Sequence, residues 1–177
     1  LTTLRIESSC EIVNGFNNCP KLKSLSFMSD GKVKEIGGLN NNAAITTFYI
    51  PSMALSVSGV NNCSALTTVV IGASLTSFTG FNNCPKLNKF TVDSSNTTFK
   101  VVDNNLYQGN KLCRVSMSKS DIVVANGTTE IMSNAIQVTS VNSISIPNGC
   151  ILANDSIKCQ SVGQIIFHTC LLYTSDA

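Results

Sequence analysis

The phrase Gly-Phe-Asn-Asn-Cys-Pro-Lys-Leu stands at residues 15–22 and again at 80–87, and Gly-Val-Asn-Asn-Cys-Ser-Ala-Leu stands at 59–66. A chain that rewrites one phrase in register is built of like units. A unit of twenty-odd residues cannot bury its own apolar face, so it must stack on its neighbours. Gly15, Gly38, Gly59 and Gly80 are separated by 23, 21 and 21 residues. Aligned on these glycines, an apolar-x-x-apolar-x-apolar column set appears. It reads Leu1/Leu4/Ile6, Leu22/Leu25/Phe27, Ile45/Phe48/Ile50, Leu66/Val69/Ile71, Leu87/Phe90/Val92, Val141/Ile144/Ile146 and Val162/Ile165/Phe167, with a degenerate copy at Lys119/Ile122/Val124. These are eight coils, starting at 1, 22, 45, 66, 87, 119, 141 and 162.

The last two apolar residues of each phrase are two apart, so they share one face of a strand. Stacked coils then make a parallel sheet over a continuous apolar interior. A second apolar column, Val13, Ile36, Val57 and Phe78, lies two residues before each glycine; a third, Cys10, Val33, Ala54 and Leu75 with Cys150, lies three before that. Each glycine permits a corner with positive φ, and the Asn-Asn that follows turns the chain through side-chain hydrogen bonds.

On these residues the chain resembles BspA-like leucine-rich repeats, in which an aF-x-x-C-x-x-L-x-x-I-x-L-P phrase precedes a short second strand ending in Ile-Gly. "GFNNCPKLKSLSF", "GVNNCSALTTVVI", "SISIP" with Pro147, and "EIGG" at 35–38 carry the likeness. The resemblance implies a leucine-rich repeat solenoid with a parallel concave sheet and short helical or turn corners. It also implies a secreted or cell-surface protein of bacteria or protists that adheres to an extracellular protein or glycan.

Residues 1–169 read as one such solenoid, interrupted at about 93–118. There Asp-Asn-Asn (103–105) and Gly-Asn (109–110) mark turns of a β-hairpin or small meander, expected to protrude. Leu1 opens directly on a strand phrase, without an initiator Met or a signal-peptide pattern. The last residues, "CLLYTSDA" (170–177), resemble a reading frame through a sequencing-library adapter and are left out of the fold.

Cys19, Cys63, Cys84 and Cys159 share one column, three residues before the strand phrase, and Asn42 takes the same place in its coil. A disulfide partner cannot be exchanged for Asn. Stacked coils are also about 4.8 Å apart, wide for the roughly 3.8 Å between disulfide Cβ atoms. The column reads as buried free thiols filling small inward positions, and no C-x-x-C pair supports a metal. Gly15, Gly38, Gly59, Gly80 and these cysteines are therefore structural.

Chemistry is hard to place on this chain. It carries none of the nucleotide-, metal- or nucleophile-elbow motifs, and its one His is His168. Its carboxylates are scattered through turns. Charged residues make up 12%, net charge is +2, aromatics are 6% and Trp is absent; that argues against nucleic-acid binding, and no apolar run is long enough to span a membrane. No cofactor is implied. Sequons at Asn62, Asn96, Asn126 and Asn154 are what so Asn-, Ser- and Thr-rich a chain produces by chance. Thr-Thr pairs at 2–3, 46–47 and 67–68 hint at an ice-binding ladder, but Ser24, Lys89 and Ser143 break its column.

The expectation for function is thus a non-catalytic binding module. The alternatives are a structural spacer, or substrate-docking repeats attached to an enzyme domain elsewhere. The outward residues of the strand phrases are mostly Ser and Thr. Tyr49, Val70 and Lys89 stand out from these on successive coils, with Arg5 on the first, and they are the candidate ligand-binding residues.

Overall fold

The protein is described here by a computed structural model covering residues 1–28 and 31–168. The front face carries one strand for each of the eight expected coils: β1 (Thr3–Ile6), β3 (Ser24–Phe27), β5 (Thr47–Tyr49), β7 (Thr68–Ile71), β9 (Lys89–Val92), β13 (Asp121–Val123), β15 (Ile136–Ile146) and β17 (Ile157–Phe167). Neighbouring strands are parallel, and the repeat columns are in register: Leu4 faces Leu25, Phe48 faces Val69, and Val69 faces Phe90. In the last coil Ile165 and Phe167 are exposed, but the paired apolar residues of the inner coils point inward as expected, with Leu66, Val69 and Ile71 wholly buried. Each such side chain contributes about 1.5–3 kcal/mol by leaving water. The described residues contain no helix, so the corners are turns.

The back face begins with β2 (Ile12–Val13), β4 (Glu35–Ile36), β6 (Ser56–Val57) and β8 (Ser77–Phe78), a parallel sheet built on the second apolar column. It continues in the interrupting segment. Residues 93–118 form a three-stranded antiparallel meander, β10 (Phe99–Val102), β11 (Asn105–Gln108) and β12 (Lys111–Arg114), with Asp103 and Asn104 both at positive φ in the first turn. The meander does not protrude. Its last strand pairs in parallel with β14 (Glu130–Ile131), which pairs with β16 (Ile151–Leu152), so it supplies a rung of the back face. It also divides the interior: Leu106 and Cys113 belong to the core of the first five coils, Tyr107 and Leu112 to that of the last three. A protruding hairpin would leave such residues in water; here they are buried.

Two breaks interrupt the front ladder: β3 is not hydrogen-bonded to β5, nor β9 to β13. The meander accounts for the second. At the first, the coil holds two extra residues between its front and back strands. The following residue also matters. Met28 N donates to Ile6 O and Asp93 N to Ile71 O just past their strands, but the same place in the third coil is Pro51, which has no N–H to give.

The corners are held by asparagine. Asn17 Oδ1 accepts from both the backbone N and the Nδ2 of Asn40, and Asn40 Oδ1 accepts the same pair from Asn61, at 2.8–3.0 Å; Asn61 Oδ1 accepts from Asn82 N. A parallel outer row runs Asn83, Asn62, Asn41, Asn18, each Nδ2 donating to the next Oδ1. The outer asparagines take φ of 54–61°, a conformation Asn tolerates better than most residues.

Candidate binding face

The front face exposes the third and fifth residue of each strand phrase. Tyr49 on β5, Val70 on β7 and Thr91 on β9 lie directly opposite one another. Tyr49 is 57% exposed. Its ring stacks on no other aromatic; the aromatic pairs join Phe48, Phe78, Phe81 and Phe99 inside.

This row lies in a cleft of about 720 Å³, which spans the front from β3 to β9. Ser24 and Ser26 line it on one side of the ladder break, and Tyr49, Val70 and Thr91 on the other, with Ser52, Met53 and Asp93 where the strands end. Gly72 makes the close approach there possible: a Cβ on it would meet the Pro51 carbonyl oxygen at 2.5 Å.

Of the four expected binding residues, Tyr49 and Val70 meet in the cleft. Lys89 does not stand next in their row. It faces Thr68, which faces Thr47, so Thr91 takes the place expected of it, because a strand carries its same-face neighbours two residues apart. Arg5 faces Ser26 across β1 and β3, and its guanidinium touches Met28 Sδ at 3.0 Å and Glu7 at 3.5 Å. It stands beside the cleft, next to a lining residue. The sequence reading did not find Ser52, Met53 or Asp93. The available signal was the 23-residue spacing from Gly15 to Gly38 together with Pro51.

All seven described cysteines are free; in the column Cys63 and Cys84 are buried as expected, whereas Cys19 and Cys159, nearer the ends, are only half-buried. The column's chemistry is richer than small size. Cys63 Sγ donates to Leu39 O and Cys84 Sγ to Val60 O, in each case the residue after the preceding coil's corner glycine. Asn42 Nδ2 donates to the equivalent Phe16 O at 3.0 Å and also to Leu39 O, while its Oδ1 accepts Cys19 N. The position requires a donor to the coil before it, which explains how Asn and Cys interchange. The Cys63 side chain and burial push the Cys84 thiol up, and burial pushes Cys113 up to about 12, so both are held as unreactive thiols.

Arg114, only 2% exposed, ends the inner asparagine row. Nη2 donates to Asn82 Oδ1 and Gly80 O, and Nη1 to Asn134 O and Gln137 Oε1. Burial lowers its pKa to about 10. Both Nη atoms are spent on the corners of two coils, while the buried Nε has no partner, so it is a clamp. Ser145 Oγ lies 2.5 Å from His168 Nε2, and Ser143 Oγ donates to Asp121 Oδ1. Asp121 therefore orients Ser143 rather than the imidazole, and neither serine lines a cleft among the described residues. No group of three metal-ligating side chains occurs among the described residues. The expected adapter-like residues 170–177 lie outside them. Two of the four sequon asparagines have their Nδ2 in use, Asn62 in the outer row and Asn96 on Gly72 O and Leu75 O.

No protein-family model and no curated protein sequence matches the chain. Solved structures do. A leucine-rich cell surface protein from Faecalibacterium prausnitzii A2-165 aligns with TM-score 0.55 and 18% identity over 94% of this chain and 61% of that one. The pneumococcal vaccine antigen PcpA aligns at 0.61 and 14%, over 93% and 51%. A leucine-rich repeat protein from Eubacterium ventriosum ATCC 27560 aligns at 0.60 and 13%, over 96% and 60%. The fold is the leucine-rich repeat solenoid, and the chain spans between about half and three-fifths of each of those proteins.

Proposed function

We propose that the chain is a non-catalytic binding module of a secreted or cell-surface protein, and that it engages an extracellular protein or glycan through the front cleft around Tyr49. The observation that carries this reading is the exposed Tyr49 ring. It lies beside Val70 in a cleft of about 720 Å³, on a face whose outward side chains the repeat does not use for packing. A large amphipathic side chain left in water on a rigid sheet is the composition that recognition surfaces favour. Two of the similar structures are a cell surface protein and a vaccine antigen, which supports the location.

The test uses immobilised chain and gastric mucin, a probe carrying both polypeptide and glycan, read by surface plasmon resonance. Wild type retains mucin, Tyr49→Ala lowers retention at least tenfold, and Lys86→Ala, at an exposed corner, leaves it unchanged. Absence of retention, or retention indifferent to Tyr49→Ala in a folded variant, overturns the proposal in favour of the spacer reading.

A further inference from the structure

Resting on that binding-face reading, we propose that the ligand of the cleft is a neutral glycan, with one pyranose ring stacked on Tyr49. Three observations point there. The first is the lining: Ser24, Ser26, Ser52 and Thr91 place hydroxyls on a cleft whose apolar lining includes the exposed Tyr49 ring and the half-buried Phe27 ring. A pyranose offers an apolar C–H face to a ring and hydroxyls that both donate and accept, so this mixture matches it group for group.

The second is charge. Among the described residues lining the cleft, Asp93 is the one ionisable side chain besides the Tyr49 phenol. Its Oδ1 accepts Ser95 N at 2.9 Å, which leaves acceptor capacity for a sugar hydroxyl. No Lys or Arg is among those described lining residues, and the nearby Arg5 is engaged by Glu7. A sialylated or sulfated glycan would bring its anion against Asp93 with no lining cation to meet it.

The third is spacing. Ser26, Tyr49, Val70 and Thr91 stand on successive front strands. Paired parallel strands lie about 4.8 Å apart, comparable to the length of one pyranose unit, so a linear chain running along the solenoid meets one outward side chain per sugar over Tyr49, Val70 and Thr91, with Ser26 beyond the ladder break. An extended peptide fits less well. Running along the solenoid, its backbone N–H and C=O groups would lie over side chains; the ladder groups of β7 are taken on both sides, and open edges face the cleft only on β3 and β5 at the break.

The experiment titrates the chain with cellopentaose, mannopentaose, lacto-N-tetraose and 3′-sialyllactose by saturation-transfer NMR and calorimetry, and repeats the mucin assay after enzymatic removal of its glycans. Expected are binding of at least one neutral oligosaccharide, a tenfold or greater loss with Tyr49→Ala, retention with Tyr49→Phe, weakening with Asp93→Asn, and no binding of sialyllactose. Tyr49-dependent capture of mucin that survives deglycosylation overturns the glycan while leaving the binding face standing. Preference for sialyllactose, or no binding of any neutral oligosaccharide, overturns the glycan as well. Capture independent of Tyr49 overturns both.

Discussion

Asn42 is the residue whose replacement tests the logic of the corner most directly. Its amide makes three buried bonds: Nδ2 to Phe16 O and to Leu39 O, both at 3.0 Å, and Oδ1 from Cys19 N at 2.8 Å. Asn42→Ala removes all three. Leu39 O keeps Cys63 Sγ as a donor, so the loss falls on Phe16 O and Cys19 N. A backbone group left without a partner costs about 1–3 kcal/mol. Both residues are half-buried, which lets water take up part of the loss, and the expected destabilisation is about 2–4 kcal/mol. Asn42→Leu fills the space without restoring a donor and should cost as much. Asn42→Cys restores what Cys63 and Cys84 do in their coils, leaving only Cys19 N, and should cost about 1 kcal/mol. Urea unfolding followed by far-UV circular dichroism gives the three values. If Asn42→Leu is as stable as wild type, the column asks only for volume, and the account of why Asn and Cys interchange fails.

Gly38 and Gly109 both take positive φ, but a Cβ on Gly38 would strike Asn14 Oδ1 and lie 2.5 Å from Gly15 N, whereas one on Gly109 meets nothing within 4 Å. Gly109→Ala should cost about 1–2 kcal/mol from backbone conformation alone, and Gly38→Ala clearly more by the same urea assay; equal costs would refute the close-approach argument. Arg114→Met leaves Gly80 O, Asn134 O and Asn82 Oδ1 without this donor, while Gln137 Oε1 keeps Asn83 N, and should destabilise by about 2–4 kcal/mol. Arg114→Lys should not rescue it, since one ammonium cannot serve both corners; a fully stable Lys variant would remove the clamp. Cys113, pushed up to about 12 from 9.0 by burial, keeps its proton while the unfolded chain loses it. Its contribution is therefore complete below pH 9 and lost as pH rises towards 12, at about 1.4 kcal/mol per pH unit. Alkaline urea titrations of wild type and Cys113→Ala should differ by that slope, and reductant should leave both unchanged; a reductant-sensitive melting temperature would contradict free thiols.

Much of the architecture is legible in the sequence because a parallel solenoid writes its packing as columns. Leu25, Phe48, Val69 and Phe90 are buried for the same reason in every coil, and Gly15, Gly38, Gly59 and Gly80 all take positive φ. The meander is legible only as an interruption. Its turns at 103–104 and 109–110 are local chemistry, but the pairing of β12 with β14 is a long-range event, and the clamp that fixes it joins Arg114 to residues more than thirty positions before it and twenty after. The cleft is half legible. Tyr49 and Val70 stand out within their column, while Asp93 and Met53 join them only because the ladder is broken upstream. Lys89 is misplaced by one row because an exception was counted by coil without its place along the strand.

The two breaks in the front ladder differ in what spans them. Between β9 and β13 the meander enters the interior, and Arg114 ties Gly80 and Asn82 to Asn134 and Gln137, so the opening is filled. Between β3 and β5 no such segment fills the break, yet the coils stay joined behind it: β2, β4, β6 and β8 pair without interruption, and the inner and outer asparagine rows run on through Asn17, Asn40 and Asn61 and through Asn18, Asn41 and Asn62. Coil-to-coil cohesion at this boundary therefore resides in the back sheet and the corner. Cutting the front ladder there gives up a few hydrogen bonds worth about 1 kcal/mol each and leaves the stack intact. The front surface is then free to open into a cleft. Tyr49 and Met53 stand exposed beside it while most outward positions of the front strands are Ser or Thr, and on the proposed binding reading the broken ladder supplies the concavity that the ligand would occupy.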